Sequence, residues 1–427
     1  MAVTMPLTWS PIPAEVRQPF VALDESLVLS QSSVEAMAQD HDGYLWIGTQ
    51  GGLDRYDGYR IASWQSDPDD ADTLSHDFIK DLLVTRDNSL WVGTLQGLDR
   101  LDPQTRSVTR FAIQAGDGSR RRGAISDDSL IEDQNGDVYA LAGLDRVRPV
   151  RWRAGQQALT VIPVEGRASE LPESSAADSL IRDRAGRIWM ANPMGLWQLD
   201  RSRDRFVRVL EPERSLGARW MGEHVAARGP GNGILFASTD GLYRVDPDAG
   251  EPIRLLRPTE NGLESDWVRA VATDSSGAIW FVQPGHVVRI DPVDGSWRAF
   301  DMPRLDPRST DNSINQMLGL EETRDGSVWL SGPFGLARYD PRTRRLDSFL
   351  HDPNDPASPP PTLGEVGYKI FRDRFDVLWV GGNLGGLARR APQGQRYVHV
   401  SDRMPSTTSR NILRAIAEQT LTDTTFV

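Results

Sequence analysis

Residues 42–49 read Asp-Gly-Tyr-Leu-Trp-Ile-Gly-Thr, and residues 87–94 read Asp-Asn-Ser-Leu-Trp-Val-Gly-Thr. A turn is followed by an apolar residue, an aromatic, an apolar and a small residue. Weaker copies stand at Gly136–Tyr139, Gly186–Trp189 and Gly233–Phe236. Clearer ones return at Gly277–Trp280, Gly326–Trp329 and Asp376–Trp379. The aromatic falls at 46, 91, 139, 189, 236, 280, 329 and 379, in steps of 44 to 50 residues. Blades of β-propellers repeat at roughly 40–50 residues. Helical repeats of that length need long 3.6-periodic segments, which this sequence lacks.

Each unit carries three more short apolar stretches. One precedes the aromatic phrase, as at Val34–Ala38, Phe78–Val84, Val268–Ala272 and Ile314–Leu320. One follows it, as at Gly52–Asp57, Gly97–Asp102, Gly195–Asp200, Gly241–Asp246 and Gly335–Asp340. The last comes at Arg60–Trp64, Val108–Phe111, Phe206–Val209, Trp297–Phe300 and Leu346–Phe349. We name the four strands a, b, c and d in chain order, with the aromatic in b. Glycine in the a–b connections supplies the positive φ of a tight hairpin. Asp-Pro pairs at 102–103, 246–247, 291–292 and 340–341 pre-set type I turns between c and d. Strand b is apolar on both faces, so it must lie between packed layers. Radial blades stacked face to face provide that environment. The expected fold is all-β, a β-propeller of four-stranded antiparallel blades, seven or eight in number. Its aromatics are inter-blade wedges, and the small residues Gly48, Gly93, Ala191 and Gly381 allow close packing.

The composition fits a folded soluble domain: of 427 residues, 39% are hydrophobic and 25% charged. The net charge of −12 argues against nucleic acid as a partner. The basic run Arg120–Arg122 reads as an exposed loop. There is no cysteine, so disulfides, thiolate nucleophiles and cysteine metal sites are excluded. No stretch reaches the ~18 apolar residues of a membrane span. Residues 1–17 do not read as a signal peptide, which implies either a cytoplasmic protein or a leader outside this sequence.

The phrases 42–49 and Gly51–Tyr59 resemble the two-component regulator propeller repeats. So do the lead-in Leu29–Val34 and the d-to-a linkers Ser66–Asp70 and His351–Pro356. The resemblance spans about residues 20 to 418. It implies an extracytoplasmic, periplasmic sensor region of a membrane-bound signalling protein, whose output is a histidine kinase or diguanylate cyclase. It favours seven blades, although Phe20–Leu23 resembles a d strand able to complete the last blade. Residues 1–19 are expected to be an irregular extension and 20–400 the propeller. Residues 401–427 read as the truncated start of a ninth repeat, which opens with Ser409–Glu418. A homodimer through the sensor region is compatible with this plan.

No catalytic constellation is legible, and neither a cofactor nor a metal is expected. The six His are scattered. Asp67, Asp69, Asp70 and Asp72 lack the Gly and distal Glu of a calcium loop and read as a solvated linker. Asp54-Arg55, Asp99-Arg100 and Asp145-Arg146 recur in strand c, which suggests ladder or inter-blade salt bridges. A ligand site belongs where the repeats differ. The b–c loops supply Gln50, Gln96, Asn192, Asp240, Gln283, Phe334 and Asn383, suited to a small polar molecule, a glycan or a peptide. Two other functions compete: a propeller enzyme, a lyase or glycoside-active protein with carboxylates at the channel mouth, and a protein-interaction scaffold.

Overall fold

A computed structural model describes residues 19–23, 27–114, 118–144, 146–166, 179–192, 194–213, 225–248, 252–256, 259, 266–283, 285–301, 319–332, 335–361, 368–392, 419–421 and 424–426. No α-helix occurs among them. Blade 1 is the antiparallel sheet Val34–Gln39, Leu45–Thr49, Gly52–Tyr56 and Ile61–Trp64. The same a-b-c-d order recurs in every later unit. Strand a runs Ile79–Val84 in blade 2, Ser179–Arg182 in blade 4 and Ala226–Arg228 in blade 5. It runs Ala270–Thr273 in blade 6, Gly319–Glu322 in blade 7 and Lys369–Arg372 in blade 8. In blade 3 it is broken into Ala124–Ile125 and Ile131–Glu132.

Strands a of successive blades lie against one another except between blades 2 and 3, where Ala124–Ile125 lies against strands b and c of blade 2, and strand a of blade 8 lies against that of blade 1. The sheets are therefore arranged as a ring with strand a innermost. Blade 8 supplies only three strands from its own repeat, and Val21–Ala22 pairs antiparallel with Ala388–Arg389 as the fourth. The seven-blade expectation fails at this point. The eighth repeat sits within the ring because the N-terminal segment completes it. Phe20 anchors that segment edge-on to Trp329 and Phe349, at centroid distances of 6.1 and 5.8 Å.

Every residue of strand b is buried, apart from the half-buried Gly143 that ends it in blade 3, as two-sided packing requires. The aromatic is also pinned by a hydrogen bond. Asp40 Oδ2 accepts from the Trp46 indole N–H at 2.8 Å, and Asp183, Asp274 and Asp373 do the same for Trp189, Trp280 and Trp379. The other oxygen of each carboxylate accepts a backbone N–H of the a–b turn. One aspartate thus closes the hairpin and fixes the wedge, satisfying a buried donor that would otherwise cost about 1–3 kcal/mol. Blades 2 and 7 carry Thr85 and Thr323 at this place. There Asp87 and Asp325 take over the turn N–H, and the Trp329 indole N–H has no partner.

The small residues two positions after the aromatic permit the blades to touch. A Cβ on Gly48 would meet the Ile79 side chain at 2.6 Å, one on Gly93 the Ile125 side chain at 2.8 Å, and one on Gly381 the Val34 side chain at 2.6 Å. These are contacts from blade 1 to 2, 2 to 3 and 8 to 1. Gly381→Ala is therefore expected to lower stability by about 1–3 kcal/mol through overpacking. The urea midpoint measures it, and an unchanged midpoint would refute the close contact.

On the face of the a–b turns, a residue just after the anchor position reaches the next blade. Arg324 donates to the Arg374 carbonyl at 2.7 Å, and Arg374 donates to the His41 carbonyl at 2.8 Å. Blades 7, 8 and 1 are thus tied in succession. The outer edges of blades 2 and 3 are joined as well, since Ala158–Thr160 pairs in parallel with Ala112–Gln114.

Other expectations need adjustment. Arg120–Arg121 is exposed but forms a short strand against Ile113–Gln114. Asp54 and Arg55 point to opposite faces of strand c and do not pair. Asp54 accepts from the Ser30 backbone N–H and from the Ser30 and Ser63 hydroxyls, while Arg55 lies over the rings of Tyr44, Trp46 and Trp64. Arg100 does form an ion pair, with Asp87 across the hairpin at 3.0 Å. Asp145 lies outside the described residues, as do 1–18 and the start of a ninth repeat expected at 409–418. Residues 394–427 form a separate unit, in which Gln419–Leu421 and Thr424–Phe426 pair as a hairpin.

Candidate functional site: the central channel

Strand a of blade 1 alternates buried and half-buried residues, whereas strands a of blades 7 and 8 are half-buried throughout. Nothing among the described residues fully covers their inner side. A cavity of about 370 Å³ opens there, lined by strands a of blades 5 to 8 and by Asp128 of blade 3. Its wall is apolar and polar in equal measure, the apolar part including Ala227, Ala272, Leu320 and Ile370. Its charged groups are Arg228, Glu321, Lys369 and Asp128.

The break in strand a of blade 3 puts Asp128 in place. The loop between its two halves carries Asp127 and Asp128, the latter at φ 46°. Asp81 of blade 2 holds this loop by accepting the backbone N–H groups of Ser129 and Leu130 at 2.6 and 2.7 Å. Burial, reinforced by the charge of Asp128, raises the Asp81 carboxyl well above the usual carboxylate range. Asp127 then pairs with Lys80 at 2.7 Å, and Asp128 with Lys369 of blade 8 at 3.0 Å.

Glu321 differs from these acids. It has no ion-pair partner among the described residues. Burial is the largest influence on it, and the Arg372 backbone N–H and charge offset that only in part. Its carboxyl is pushed up to about 7. The sequence held a signal for this site: blade 3 has the polar run Ser126-Asp127-Asp128-Ser129 where other units carry an apolar strand a.

The structure does not gather the b–c loop residues into one accessible face. Asn192, Asp240 and Gln283 are buried. Asn192 accepts from the Met194 backbone N–H, and Asp240 from Ser238, Tyr243 and Arg254. Gln50 donates to Glu35, and Asn383 accepts from Ser33 of blade 1. Gln96 is exposed. Phe334 lies outside the described residues. The tight turns and inter-blade seams claim polar atoms of Gln50, Asn192, Asp240 and Asn383, whereas the buried Gln283 Oε1 has no hydrogen-bond partner among the described residues.

The acidic linker at 67–72 is organised by Arg110. Its guanidinium donates to the carbonyls of Asp67, Asp70, Thr73 and Leu74. Among the described residues no group of three His, Asp or Glu could hold a metal ion, and no helix is long and apolar enough to cross a membrane. A second cavity, of about 470 Å³, lies between the a–b turns of blades 2 and 3, beside Trp91 and Trp152.

Ring, repeat and channel define a β-propeller. Residues 28–51 match the family model of the two component regulator propeller. Histidine kinase P4 of Formosa agariphila is 43% identical over 47 residues, which is 11% of this chain and 3% of the kinase. The extracellular domain of a hybrid two component system from B. thetaiotaomicron superposes with a TM-score of 0.54 at 13% identity, over 88% of this chain and 42% of that one. The Dos1 propeller superposes with a TM-score of 0.58 at 11% identity, over 88% of this chain and 94% of that one. The two superpositions speak to the fold. The chain spans 3% of the length of that histidine kinase and 42% of that extracellular domain.

Proposed function

We propose that this chain is the sensing propeller of an extracytoplasmic signal-transduction protein, and that a small polar ligand is read in the central channel. The observation that carries the proposal is the inner face of blades 7 and 8, which nothing among the described residues fully covers and where a charged cavity opens. The two-component repeat and the segment shared with a histidine kinase support the signalling role. The channel replaces the b–c loops as the preferred site because the loop amides are largely committed within the fold.

Binding is favoured over glycoside or lyase chemistry because one of the two acids that line the cavity, Asp128, is already paired with Lys369, and the nearby Asp127 and Asp81 are committed as well. Asp127 and Asp128 neutralise lysines, and Asp81 caps backbone N–H groups. A ligand that binds only the folded ring raises its melting temperature by mass action. A thermal-shift screen of small charged molecules, oligosaccharides and short peptides should return at least one such ligand. Absence of any shift across all three classes, with a cooperatively folded ring, would sink the proposal. Pairing of two copies on ligand addition, read by sedimentation velocity, is the expected output step.

A further inference from the structure

We infer that the channel cavity takes a small organic ammonium ion, its charged nitrogen on Glu321 and its alkyl body against the apolar part of the wall. The inference rests on the channel being the sensing site and names the class of ligand.

Three observations lead to it. Glu321 lines a cavity large enough for a small molecule, yet among the described residues it forms no ion pair of the kind that Asp127 and Asp128 each possess. Of the groups packed around it, Arg372 supplies one backbone N–H and a partial charge compensation. Its guanidinium is itself directed to Asp376 at 3.6 Å. An ammonium nitrogen would provide the missing charge and up to three N–H donors for a carboxylate. The wall beside it, with Ala227, Ala272, Leu320 and Ile370, offers methyl and methylene surface suited to a short alkyl chain.

The remaining charges on the cavity are Arg228, Lys369 and Asp128. Lys369 and Asp128 neutralise each other at 3.0 Å. Arg228 ends strand a of blade 5 and is exposed towards the turn face. An anion would meet Arg228 but would also face the Glu321 carboxylate. A cation relieves the buried acid and faces Arg228 only at the solvent end.

Glu321 is partly protonated near neutral pH, and a cation favours its ionised form. Binding should therefore release a fraction of a proton at pH 7. Affinity should rise as pH increases through about 7 and level off above it.

The probe is n-butylammonium, titrated calorimetrically into the intact chain in two buffers of different ionisation enthalpy. Saturable binding with proton release is expected, weakened about tenfold or more in Glu321→Gln, which keeps the side-chain shape. The melting temperature of the unliganded variant establishes that it folds. Equal binding by wild type and variant would overturn the inference. So would channel binding of an uncharged sugar or a carboxylate with none of the alkylammonium, an outcome that leaves the sensing proposal intact. Failure of every class in the broader screen would defeat both.

Discussion

Phe20→Ala is expected to cost about 3–5 kcal/mol, the range for removing a fully buried aromatic side chain. The loss is large because Phe20 is 2% exposed and sits in one cluster with Trp329, Phe349 and Tyr368, at the seam of blades 7 and 8. Its two edge-to-face contacts each add roughly 0.5–1.5 kcal/mol beyond the area they bury. The strand it introduces has little else to hold it. Val21 and Ala22 are exposed, and their pairing covers two residues. Without the Phe20 ring, this segment should detach and leave strand c of blade 8 as an open edge. Urea denaturation gives the stability change. Hydrogen exchange gives its location, since the Leu23 amide donates to the Leu387 carbonyl and should lose protection first. Val21→Ala should fall within about 0.5 kcal/mol of wild type. A Phe20→Ala effect as small as that would show that the ring closes by other means.

Asp99→Asn is expected to stabilise the protein by up to about 3 kcal/mol above pH 7, with almost no effect near pH 4. Asp99 and Asp54 occupy the same place in strand c of blades 2 and 1. Opposite Asp54 stands Ser63, which donates its hydroxyl to the carboxylate. Opposite Asp99 stands Arg110, whose guanidinium is spent on the linker carbonyls. Asp99 keeps the Ser75 backbone N–H on Oδ2 at 2.7 Å, while its other oxygen has no hydrogen-bond partner. Burial consequently pushes its carboxyl up to about 6. The native state holds this proton more tightly than the unfolded chain does. The associated stability is complete below the unfolded value, near 4, and is lost as pH rises through about 6. Asparagine retains an acceptor for Ser75 and has no charge to bury. Denaturation midpoints at pH 4, 6 and 8 for both proteins measure the difference. A constant offset across that range would exclude Asp99 as the titrating group.

The fold was legible because its determinants are local and repeated. A buried b strand must be apolar on both faces, its wedge must be large, and the residue two places on must be small. Eight copies of that pattern leave few alternatives to stacked blades. The turns were legible for the same reason, since Gly and Asp-Pro restrict the backbone wherever they stand. Pairing across blades was less accessible. Asp40 and Trp46 lie six residues apart, and their hydrogen bond follows only from the hairpin register. Asp54 and Arg55 suggested ladder or inter-blade salt bridges, yet Asp54 takes serine hydroxyls and Arg55 lies over aromatic rings of its own blade.

The site was the least legible part, and the reason is distance along the chain. Lys369 and Asp128 meet across 241 residues, and no local pattern links them. The b–c loops attracted notice because they vary and are polar. Only the packed ring shows that Asn192, Asp240 and Gln283 are buried within it. The sequence by itself determined the repeat, the strand order within a blade and the wedge that separates blades, all set by contacts within about one repeat length. Closure through Phe20, the place of the eighth repeat and the charged channel were decided only by tertiary structure. Each depends on which distant residues the ring brings face to face, and on which carboxylates it leaves without a counterion.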